Sequence, residues 1–103
     1  MNLDSIHNVY FIGIGGIGMS AIAIYFKSNG KNVAGYDKTP TEITNSLQKM
    51  GIKIHFEDTV SLIDETFKHT KNTIVIYTPA VPKSHVELNY FIANNFTVLK
   101  RSE

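Results

Sequence analysis

A chain of 103 residues, 43% hydrophobic and 18% charged, has the size and composition of one globular domain. Ten Lys and Arg against nine Asp and Glu leave a formal charge of +1, too weak a field for nucleic acid or an anionic membrane, so any bound anion must be held locally. Cysteine is absent, which excludes disulfides and thiolate metal sites, and His7, His55, His69 and His85 lie too far apart for a metal-ligand spacing.

The first seven residues carry charge and no long apolar core, so they do not form a signal peptide, and no run reaches the roughly 20 apolar residues that span a bilayer. A soluble, cytoplasmic protein is expected. Short β-branched and aromatic runs predict strands over 7–12, 32–36, 53–56, 73–77 and 97–100. Between the first two, Met19, Ile22, Ala23 and Phe26 fall on one helical face, which Asn29-Gly30 stops. A second helix is announced by Thr39 as cap, Pro40 at the first helical position and Glu42 three residues after the cap, with Ile43, Leu47 and Met50 as its apolar face. Over 58–72, Val60, Leu62, Ile63 and Phe67 suggest a short helix ending near His69. A last helix follows Ser84, whose capping box would close on Glu87, and presents Leu88, Phe91 and Ile92. Strands alternating with helices predict an α/β fold, a doubly wound, Rossmann-like parallel sheet of five strands in the order 3-2-1-4-5, formed by residues 1–103 as one domain.

The glycines after the first strand carry the chemistry. Gly13-Ile14-Gly15-Gly16-Ile17-Gly18 contains G-x-G-x-x-G with a strand before it, a helix opening inside it, and Asp37 about 20 residues further on at the end of the second strand. In such a loop Gly13 permits the tight turn, Gly15 lets a diphosphate approach the main chain, and Gly18 brings helix and sheet together. The N–H groups around Ile17 to Ser20 then face the phosphates with the helix dipole behind them. Asp37 suits a ribose or base contact. Two ligands satisfy this pattern, a nicotinamide dinucleotide and a nucleotide-sugar, and backbone amides do not distinguish them.

The longer string over residues 7–23, HNVYFIGIGGIGMSAIA, closely resembles the opening of the UDP-N-acetylmuramate:L-alanine ligases, the first amino-acid-adding enzymes of peptidoglycan synthesis, whose loop reads Gly-Ile-Gly-Gly-x-Gly-Met-Ser. Similarity continues through VAGYD, LQKMGIKI, IVIYTPAVP and LKRSE, covering essentially the whole chain. The resemblance implies the Rossmann-like first domain of a three-domain enzyme, holding the UDP part of UDP-N-acetylmuramate. ATP and Mg2+ would belong to the central and C-terminal domains. No G-x-x-x-x-G-K-[ST] occurs in these residues. The chain is therefore expected to bind substrate and to have no catalytic residue, metal site or cofactor of its own.

Carried over by position, the resemblance puts the diphosphate on Gly15, Gly16, Ile17, Gly18, Met19 and Ser20, after the turn at Gly13. It puts the nucleoside near Asp37 and Lys38 and near Thr78, Pro79 and Ala80. Many relatives have Ser where this chain has Tyr36, and a Gly-His pair where it has Glu57-Asp58. No role passes to His55, and Arg101 is expected as a solvated or interdomain residue. A nicotinamide-binding module of a dehydrogenase or ligand-sensing protein is the alternative. A scaffold with a vestigial loop would explain neither Asp37 nor the glycines.

Overall fold

The computed structural model describes residues 3–101. The five strands run β1 (Asn8–Ile12), β2 (Asn32–Tyr36), β3 (Lys53–His55), β4 (Thr73–Tyr77) and β5 (Thr97–Lys100). All pair in parallel, in the order β3-β2-β1-β4-β5. The expected topology is therefore observed, with β1 central and buried along its whole length. Such a strand has no solvent face, which is why it is apolar at nearly every position rather than alternating.

Helices α1 (Met19–Ser28) and α2 (Glu42–Lys49) cover one face. There Val9, Phe11, Ile14, Met19, Ala23, Leu47 and Ile76 form one apolar layer, with Ile22 and Phe26 packed against it. Helix α3 (Val86–Ala93) covers the other, where Tyr10, Ile12, Val75, Leu88, Phe91 and Phe96 meet. Burial of each such side chain contributes about 1.5–3 kcal/mol, and this holds the sheet between its two helical layers.

Three local expectations need correction. Segment 58–72 is two 3-10 turns, Val60–Leu62 and Glu65–Phe67, not a helix. Extended backbone at Ile63 interrupts it, and the Asp64 carboxylate starts the second turn by accepting from the Thr66 N–H at 2.9 Å. Ile63 and Phe67 still bury their side chains on the α3 side of the sheet. The cap of α2 is Thr41 rather than Thr39, because Thr41 and Thr44 exchange side-chain-to-backbone hydrogen bonds (3.3 and 2.8 Å). Rotating the helix start in this way buries Thr44 and Leu47 and leaves Ile43 and Met50 exposed. The cap of α3 is His85 rather than Ser84: its Nδ1 accepts from the Leu88 N–H at 3.3 Å, and Glu87 turns inward instead of closing a capping box. Ile92 is exposed. The stop of α1 is as expected, with Asn29 and Gly30 returning N–H bonds to the last turn.

Candidate functional site: the glycine loop and its cleft

The loop after β1 is anchored at both ends. Gly13 and Ile14 donate to the Tyr36 carbonyl (2.8 and 3.0 Å), Gly16 donates back to the Gly13 carbonyl, and Met19 and Ser20 both donate to the Gly16 carbonyl. Gly13 and Gly18 have φ of 90° and 84°, the left-handed region that only glycine adopts without strain. Two amides remain. The N–H groups of Ile17 and Gly18 make no hydrogen bond among the described residues, and they sit where α1 begins. Neighbouring unpaired donors at a helix N-terminus favour an anion through both hydrogen bonding and the helix dipole.

Gly15 takes a different part from the one expected. Its N–H donates to Asp37 Oδ2 at 2.8 Å, and a β-carbon built on it would lie 2.9 Å from both that oxygen and Thr44 Cγ2. The space at Gly15 is filled by the chain's own α2 entry. Asp37 Oδ1 also accepts from the Thr39 N–H at 3.1 Å, so one carboxylate ties the loop to the turn after β2. Arg101 is half-buried and extends β5 by donating its N–H to the Tyr77 carbonyl at 2.9 Å. Its guanidinium packs on Gly18, where a β-carbon would lie 2.5 Å from Nη2.

Beside the loop, a cleft of about 490 Å³ opens over the carboxyl ends of β2, β1 and β4. Gly13, Gly16, Asp37, Lys38, Thr78 and Ala80 line it, so six of the residues chosen from the sequence meet in one place. Gly15, Ile17 and Gly18 lie in the loop and Met19 and Ser20 open α1, all outside the cleft lining, and Met19 is buried. Pro79 lines a separate groove with Tyr77, Lys83 and Ile92. Tyr36, Asp58, Val81, Pro82 and His85 complete the cleft.

Position 58 is marked in the sequence only as a departure from the family's Gly-His pair, and His85 carries no signal there, because the two meet only through α3. Asp58 accepts from the Val86 and Glu87 N–H groups (2.7 and 2.9 Å), and its Oδ1 lies 3.2 Å from His85 Nδ1. Burial holds the His85 pKa below the ordinary value, against the opposing pull of Asp58 and Glu87. Burial also pushes the Tyr36 pKa up, with Asp58, Glu87 and Asp37 adding to it. Beneath the cleft, the fully buried Glu87 accepts from Tyr10 Oη at 2.5 Å and from the Thr59 N–H at 3.2 Å, and pairs with His55 Nε2 at 2.5 Å. His55 thus belongs to the support of α3. Among the described residues no group of three or more His, Cys, Asp or Glu could hold a metal ion.

A family model described as "Mur ligase family, catalytic domain" matches residues 8–103. The chain belongs to the Mur ligase family. Among curated members, the UDP-N-acetylmuramate--L-alanine ligase of Flavobacterium psychrophilum is 62% identical over 103 residues, and that of Parabacteroides distasonis 55% over 102. This Mur ligase chain is covered to 100% and 99% in these matches but spans only 23% and 22% of those proteins. The crystal structure of UDP-N-acetylmuramate-alanine ligase from Thermotoga maritima superposes with a TM-score of 0.80 at 34% identity, covering 91% of this chain and 20% of that one. An UDP-N-acetylmuramate:L-alanyl-gamma-D-glutamyl-meso-diaminopimelate ligase from Neisseria meningitides, 20% identical with a TM-score of 0.77 over 92% of this chain and 28% of its own, shares the fold.

Proposed function

We propose that this Mur ligase chain is the substrate-nucleotide-binding unit of a cytoplasmic UDP-N-acetylmuramate:L-alanine ligase, residues 1–103 forming its first domain. The observation that carries the reading is the pair of unpaired amides, Ile17 and Gly18, at the start of α1 beside the cleft between β2 and β4. In an open α/β sheet this is where ligands bind, because β1 is the strand from which the chain winds in both directions. The diphosphate lies on the two amides and the start of α1, with Gly16, Met19 and Ser20 shaping the loop. The nucleoside lies in the cleft toward Asp37, Lys38, Thr78 and Ala80, and Pro79 shapes the β4 turn from its far side. Gly13 and Gly15 set the loop's curvature.

The relatives' names support the substrate and the reaction. In that reaction the muramate carboxylate takes a phosphoryl group from ATP to give an acyl phosphate, and the alanine amine displaces phosphate to form the amide. Binding of ATP and Mg2+ belongs to the remainder of the longer protein, since the chain spans about a quarter of its relatives and carries no P-loop string. This chain's share is to fix the nucleotide so that the distant carboxylate is presented, a positioning contribution.

Calorimetric titration of the chain with UDP-N-acetylmuramate, UDP and NAD tests the reading. Saturable binding of UDP-N-acetylmuramate and, more weakly, of UDP is expected, with no heat from NAD. Binding of NAD with no response to either UDP compound would overturn it in favour of a nicotinamide module.

A further inference from the structure

His85 Nε2 is enclosed in the wall of the cleft and has no hydrogen-bond partner among the described residues, while the residue as a whole is only 5% exposed. The other ring nitrogen is engaged: Nδ1 accepts from the Leu88 N–H and faces Asp58 Oδ1. A neutral imidazole carries its proton on one nitrogen and a lone pair on the other. With the Nδ1 lone pair taken up by the Leu88 N–H, the neutral ring carries its proton on Nε2, which is an unmet donor, and an unsatisfied buried polar atom weakens a fold unless something uses it. The neighbouring Glu87 cluster differs in this respect, since its carboxylate is fully engaged by Tyr10, His55 and Thr59.

Tyr36 stands against the imidazole, ring centroids 4.7 Å apart and near-perpendicular at 65°. Its hydroxyl makes no hydrogen bond among the described residues, so a movement of this ring would break none. The cleft thus offers an aromatic face and a polar imidazole edge side by side. A planar heterocycle with hydrogen-bonding groups on its rim complements both.

We infer that His85 Nε2 reads the base of the bound nucleotide, hydrogen-bonding to the polar edge of a pyrimidine seated against Tyr36. This rests on the nucleotide-binding function proposed above and adds to it the group that selects the base. Uracil presents a carbonyl acceptor beside an N–H donor, and cytosine presents the reverse order on the same edge. An Nε2–H donor meets the 4-carbonyl of uracil and is mismatched to the 4-amino group of cytosine, so it favours uracil.

The test uses the uniformly 15N-labelled 103-residue chain, in which the histidine ring nitrogens and the backbone amides are read together. His85→Asn assigns the His85 signal, and it retains a side-chain oxygen able to accept the Leu88 N–H, so the α3 cap is preserved while Nε2 is removed. UDP is expected to shift the His85 Nε2 resonance, whereas inorganic pyrophosphate shifts the Ile17 and Gly18 amides and leaves it in place. In His85→Asn the affinity for UDP should fall about tenfold and the UDP-over-CDP preference should approach one, with pyrophosphate binding unchanged. UDP that moves the Ile17 and Gly18 amides but leaves His85 Nε2 unmoved would overturn this inference and spare the proposed function. UDP that moves neither would overturn both. Unchanged UDP affinity and base preference in a folded His85→Asn would likewise overturn it.

Discussion

Asp37 ends β2 with both carboxylate oxygens committed to backbone, one to Gly15 and one to Thr39. Its distance along the sequence from the glycines is the one expected of a nucleotide contact, and in the folded chain it ties the loop to the turn after β2. Hydrogen bonds to a charged group contribute about 1.5–3 kcal/mol, so Asp37→Ala should lower the unfolding free energy in urea by that amount. Asp37→Asn keeps one oxygen acceptor and should lose less; equal stability of Asp37→Ala and the parent chain would remove the anchoring role. At Gly18 two effects compete. The guanidinium of Arg101, the far end of a flexible side chain, can withdraw from an added methyl, but φ of 84° cannot be relaxed without moving the start of α1. Gly18→Ala should therefore cost about 1–2 kcal/mol from the backbone alone, read by urea unfolding. His85 gives the pH dependence. Its folded pKa is depressed below 6.5 by burial, so the unfolded chain takes up its proton first as pH falls. This contribution is present above about pH 6.5 and is lost as pH falls through the folded value, so the urea midpoint should drop between pH 7 and 5, less steeply in His85→Asn.

At the scale of an element, α3 is the part of the site assembled from furthest away in sequence. Asp58 caps its first two amides from outside, and Glu87 in its first turn is held by β1, β3 and the residue before the first 3-10 turn through Tyr10, His55 and Thr59. Asp58→Ala uncaps the helix and removes a negative charge from its N-terminus, a combined loss of about 1–2 kcal/mol. Faster hydrogen exchange at the Val86 and Glu87 amides would show it, and unchanged exchange there would contradict it. Burial pushes the Tyr10 pKa well above the ordinary tyrosine value, with Glu87 adding to it, so the phenol stays a proton donor to that carboxylate. These two helices also show why their starts were misplaced in the sequence. Thr39 and Ser84 are good caps by residue type, but the partners that decided the matter were a buried Thr44 hydroxyl and the His85 imidazole, neither of which follows from the one-dimensional pattern. Apolar spacing over 58–72 failed for a related reason: Ile63 and Phe67 are buried as expected of a helix face, yet Asp64 restarts the chain between them.

For the whole molecule, the strand order follows from strands and helices that alternate in sequence, and it alone brings the ends of β2 and β4 to either side of β1. The strand order is therefore enough to bring residues as distant as Gly13, Asp37 and Thr78 to one cleft. The family pattern sets positions 36 and 58 beside the nucleotide, but the place of His85 follows only from how α3 and its preceding turn pack against the sheet. The central claim, that the amides of Ile17 and Gly18 receive a nucleotide diphosphate beside this cleft, is tested most directly by amide chemical shifts of the 15N-labelled chain during titration with UDP-N-acetylmuramate. The largest shifts are predicted at Ile17 and Gly18, with smaller ones at Asp37, Lys38 and Thr78. Saturable binding that leaves the Ile17 and Gly18 amides unmoved would contradict it.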